Sequence, residues 1–72
     1  MNNQILQELR RACELRGATL DLKGEGHFHI TGDRLVNYYP FSRRRTAYLP
    51  DPGKTIYNVN PDQAAELAFH AD

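Results

Sequence analysis

Tryptophan is absent, cysteine and methionine occur once each, and nine basic residues are cancelled by nine acidic ones. Each shortage removes a class of protein. A lone Cys13 has no partner for an internal disulfide, which excludes a secreted disulfide scaffold and favours a reducing, cytoplasmic location. With no net charge, no overall positive field draws the chain onto nucleic acid or anionic lipid, so any charge argument has to be local. No apolar run reaches the length of a signal-peptide core or a membrane span, and the opening MNNQILQELRR is polar with scattered apolar positions. A soluble chain with no membrane partner is expected. Also missing are a glycine-rich phosphate loop ahead of a helix, a Cys-x-x-Cys pair, a nucleophile elbow and a convincing pair of carboxylates. The expectation is therefore no cofactor and no catalysis.

What is present fits a single small domain, residues 1–72, with room for one core. Ile5, Leu6, Leu9, Ala12 and Cys13 recur at helical spacing, with Asn2 or Asn3 available as a cap, Arg10 and Glu14 one turn apart, and Gly17 placed to end the helix. Ala18–Lys23 alternates like a strand and meets Gly24-Glu25-Gly26, which reads as a turn or bulge. HFHIT (27–31) and RLVNYY (34–39) flank Gly32-Asp33, a tight two-residue hairpin signal. In that register Phe28, Ile30, Leu35 and Tyr39 share the core face, while His27, His29, Val36 and Tyr38 share the open face. Pro40-Phe41-Ser42-Arg43 reverses the chain again, and an even-length loop there adds Thr46 and Tyr48 to the core face. Pro50–Gly53 is a turn, and Thr55–Val59 is extended enough to supply an edge strand. Asn60-Pro61-Asp62-Gln63 combines an N-cap, a first-turn proline and a capping-box glutamine, opening a short helix with the stripe Ala64, Leu67, Ala68 and Ala71. The expected fold is α+β: an N-terminal helix, a three- to four-stranded antiparallel hairpin sheet, and a short C-terminal helix.

Chemistry-bearing residues concentrate in the middle. Arg34, Arg43, Arg44, Arg45 and Lys54 interleave with Tyr38, Tyr39, Phe41 and Tyr48. Guanidiniums bridge phosphates and exposed tyrosines stack on unpaired bases, which points to RNA or single-stranded nucleic acid. In that reading Arg43, Arg44 and Arg45 hold phosphates, Tyr38 offers a stacking surface, and His27 and His29 flank it. The same residue types populate protein interfaces, so a protein partner, an inhibitor role or a homodimer is the alternative. A plainer reading makes the tyrosines core residues and the arginines solubilising groups at a hairpin tip. His27 and His29 aim to one side of a strand and could supply two metal ligands, but no third lies near in sequence, so no metal site is expected.

The order helix, strand, Gly-x-Gly-His-x-His, strand, helix resembles the HicA-type toxin family. That resemblance implies a small double-stranded-RNA-binding-like fold and an mRNA ribonuclease acting through a histidine after a glycine, matched here by Gly26 and His27. The family's Gly-Ser-His reads Gly-Glu-Gly-His in this chain. The segment VNYYPFSRRRTAY is similar to stretches of small uncharacterised phage and prophage proteins, which implies a mobile-element origin and no defined activity.

Overall fold

The computed structural model describes residues 3–51 and 53–69, with the backbone alone at Asn3, so Asn2 as a cap, Ala71 in the second stripe, and His70 lie outside the described residues. Helix α1 (Asn3–Arg16) buries Ile5, Leu9, Ala12 and Cys13, the face that the spacing predicts. Gly17, at φ +73°, takes the left-handed position that ends it. Ala18 N–H then donates to the Cys13 carbonyl (2.8 Å) and Gly17 N–H to that of Glu14 (3.2 Å), satisfying two terminal carbonyls in a Schellman motif.

Five strands follow in a simple antiparallel meander: β1 (Thr19–Gly24), β2 (His27–Thr31), β3 (Leu35–Tyr39), β4 (Thr46–Leu49) and β5 (Lys54–Ile56). The sheet has five strands rather than three to four, the last of them Lys54–Ile56, which pairs with β4 as the edge strand that the extended Thr55–Val59 stretch allows. Glu25 and Gly26 turn β1 into β2, and a register shift between Leu22 and Gly24 leaves Lys23 without a partner across the ladder. Helix α2 (Pro61–Leu67) begins with the full capping box: Gln63 N–H donates to Asn60 Oδ1 (2.8 Å) and Asn60 N–H to Gln63 Oε1 (2.9 Å). Asn60→Ala removes one acceptor from this reciprocal pair and is expected to cost about 1 kcal/mol, read as a lower urea midpoint with an unchanged slope.

The β2–β3 hairpin differs from expectation by one residue. Thr31 pairs with Leu35, Ile30 with Val36, His29 with Asn37 and Phe28 with Tyr38, so the loop holds three residues, Gly32, Asp33 and Arg34. Its backbone is committed to another element. Asp33 and Arg34 N–H both donate to the Ala68 carbonyl at the end of α2 (2.9 and 3.0 Å), and Arg34 Nε donates to the Leu67 carbonyl (2.7 Å). The turn therefore acts as a C-cap for α2, a tertiary demand invisible to local turn rules.

A slip of one exchanges the faces of the whole strand. Phe28, Ile30, Val36, Tyr38, Ala47 and Leu49 face the helices and form the core with Leu9, Cys13 and Ala64. Leu35 and Tyr39 are instead on the opposite face, and Val36 and Tyr38 are buried. The next loop is even in length, pairing Tyr39 with Thr46. Since Tyr39 has changed sides, Thr46 and Tyr48 follow it to the open face and Ala47 and Leu49 enter the core. Salt bridges from Arg16 to Asp62 (2.8 Å) and Glu66 (3.9 Å) tie the end of α1 to α2 at the surface.

Candidate functional site

Both helices contribute to the core on one side of the sheet. Among the described residues, no helix covers the other side. Cross-strand pairing sets Asp21, His29, Asn37, Tyr48 and Thr55 in one row across all five strands, and Tyr39 beside Thr46 in the neighbouring row. His27 stands next to them, its ring stacked on that of Tyr39 at 4.6 Å between centroids and 14° between planes. His29 meets His27 edge-on at 5.1 Å. The open face thus carries a cluster of partly exposed rings, with His27 and Tyr39 facing each other and His29 edge-on to them.

His27 is held from two sides. Its Nε2 lies 2.9 Å from Asn37 Oδ1. With the amide oxygen as acceptor, Nε2–H donates, leaving Nδ1 as the nitrogen with a free lone pair. Among the described residues, no three His, Cys, Asp or Glu side chains converge as a metal site would require. Asp21 is nevertheless the cross-strand partner of His29, a proximity that sequence spacing did not reveal.

The expected arginine and tyrosine patch is divided. Tyr38, expected as an exposed stacking surface, is fully buried, and its hydroxyl donates to the Val59 carbonyl at 2.6 Å. Burial pushes its pKa up to about 12, against the opposing pull of the Arg45 charge and with a smaller push from Glu8. Its place as an exposed ring is taken by Tyr48, 39% exposed, and by Tyr57, 50% exposed beyond β5. Arg43, Arg44 and Arg45 are all exposed, but they do not form one cluster. The Arg44 guanidinium carbon sits 5.2 Å from the Tyr57 ring centroid, a cation–π contact. Arg45 takes φ +43° and borders a cleft on the helix side with Glu8, Arg11 and Asp62. The Arg44 and Arg45 carbonyls accept from Asn58 and Val59 N–H (2.6 and 3.1 Å), which fixes the loop against the segment after β5. Arg34 belongs to the α2 cap and lies away from this loop.

Chain direction places the β1–β2 turn and the β3–β4 loop at the same end of the sheet. There a groove of about 1390 Å³ opens on the helix side, with Leu6, Leu20, Leu22 and Phe28 on its apolar wall and Phe41 beneath the turn. His27, Tyr39 and the arginine loop therefore share one end of the molecule. Sequence reasoning missed Tyr57 and Asn37. Tyr57 lies only nine residues after Tyr48 in an extended stretch, and Asn37 was the polar residue in an otherwise apolar strand.

No described helix is long and apolar enough to cross a membrane. Comparison of the chain with protein-family models, with curated proteins and with solved structures finds no match.

Proposed function

We propose that this domain is a non-enzymatic binding module that takes single-stranded nucleic acid, RNA or DNA, on the open face of its sheet. The observation that supports this most is the pair of exposed rings, Tyr48 and Tyr57, beside the stacked His27 and Tyr39 on the open face, next to a loop carrying Arg43 and Arg44. Bases stack on the rings while guanidiniums meet phosphates at the loop end, where the Arg44 charge lies 5.2 Å from the Tyr57 ring centroid. With few, local phosphate contacts on a neutral chain, affinity is modest and falls with added salt in proportion to their number.

Fluorescence anisotropy with labelled oligonucleotides at low and moderate salt tests this. Tyr48→Ala is expected to weaken binding by about 1–3 kcal/mol, and Arg43→Gln with Arg44→Gln to weaken it and flatten the salt slope by about 1.4. Binding that is negligible in wild type, or equal in all variants, removes the proposal. Salt-insensitive capture of a protein by the same face would favour the protein-partner reading.

A ribonuclease reading rests on His27 and the HicA-type resemblance. Nδ1 of His27 supplies a candidate base, but the ring is already engaged by Asn37 and Tyr39. Incubation of RNA with wild type and His27→Ala separates the readings: cleavage lost only in the variant supports catalysis, and intact RNA with wild type eliminates it.

A further inference from the structure

We infer that the free edge of β1 pairs with the same edge of a second copy of this chain, forming a two-fold dimer with one continuous sheet. β1 lies at the border of the sheet and pairs with β2 on one side only. It is six residues long, twice the length of β5 at the other border, and five of its six residues are exposed. A strand of that length offers about 20 Å of unpaired backbone amides and carbonyls, a template for another strand.

The side chains select the partner and the register. A two-fold axis perpendicular to the sheet joins identical edges antiparallel and keeps the helices of both copies on the same side. Opposed residues must then share a face, which leaves axes that pass through a residue. An axis at Asp21 sets Asp21 against its own copy, a like-charge pair. An axis at Leu22 sets Asp21 of each copy against Lys23 of the other, twice, and Leu22 against Leu22. Lys23 has no partner across β2 and is exposed, so its ammonium can reach that contact.

The apolar surface agrees. Leu22 is 66% exposed on the helix side, at the border of the groove that Leu6, Leu20 and Phe28 line. The Leu22 axis covers it with its counterpart and extends the groove wall across the dimer. A 72-residue chain with a single small core gains from such association. The dimer is independent of what the open face binds, although it would place two open faces side by side.

Sedimentation velocity over a range from low to high micromolar protein tests the inference, with circular dichroism melts to confirm folding. Wild type is expected to shift from monomer to dimer with concentration. Asp21→Lys brings two ammonium groups together at each of the paired positions, and Lys23→Asp brings two carboxylates together there; each is expected to weaken association on the order of tenfold. The exchange of both charges in one chain, D21K with K23D, restores the opposite pairs and is expected to recover dimer formation. Two single variants guard against one failing to fold. A wild type that stays monomeric throughout, a folded single variant that dimerises like wild type, or an exchange that recovers nothing overturns the proposal.

Discussion

Tyr38→Ala leaves little or no folded protein at ambient temperature. Its ring is the largest fully buried side chain, and truncating a buried aromatic costs about 3–5 kcal/mol, comparable with the whole stability expected of so small a domain. Tyr38→Phe keeps the ring and removes only the hydroxyl, stranding the Val59 carbonyl that it satisfies at 2.6 Å. That variant should fold with a loss of about 1–3 kcal/mol. Urea titration followed by far-ultraviolet circular dichroism ranks the three proteins. An alanine variant as stable as wild type would show that this ring is not part of the core.

The same hydroxyl predicts an alkaline signature. Its pKa is raised from 10.0 when unfolded to about 12 when folded, chiefly by burial. The neutral phenol is therefore the form the fold prefers. Its contribution is intact below pH 10, falls as the unfolded chain ionises first, and is lost by about pH 12, when the phenolate can no longer donate to Val59. Tyr38→Phe should remove that part of the decline, so the two stability curves converge above pH 10.

Val36→Lys is expected to abolish folding, whereas Leu35→Lys, one residue away, should cost less than about 1 kcal/mol. Val36 is fully buried against the helices, and an ammonium there has no partner and no water, a penalty of several kcal/mol. Leu35 projects to the open face, where a lysine stem lies along the sheet and its charge reaches solvent. The two-residue hairpin register requires the reverse ranking. Thermal melts of the pair therefore decide the register directly.

That contrast shows what local chemistry could and could not reveal. Both helices were legible, because their apolar spacing, the glycine at Gly17 and the Asn60-Pro61-Asp62-Gln63 start are all short-range signals. The existence of the β2–β3 hairpin was legible too. Its loop length was not, because Asp33 and Arg34 spend their amides on the Ala68 carbonyl, 35 and 34 residues away. Asn37 could have corrected it: in the expected register this amide faces the core beside Phe28 with no evident partner, a conflict resolved only by moving the strand one residue. From that single step came the exchange of Tyr38 for Tyr39 and Tyr48 at the candidate site. The splitting of Arg43, Arg44 and Arg45 between two sides was likewise hidden, since it follows from the hydrogen bonds between this loop and Asn58 and Val59.

Because each strand of the meander pairs with its immediate neighbour in sequence, every ladder closes only a short loop of chain. Loop-closure entropy is therefore modest at each step, and the sheet can grow outward one hairpin at a time. The contacts between α1 and α2 are of the opposite kind: Arg16 and Asp62 are separated by 46 positions. Ordering them costs most when the chain between them is unstructured and least once the sheet has shortened the path. On this topology the strands form the early part of the folding route, and the docking of the two helices is the late event that seals Tyr38 and its neighbours from water.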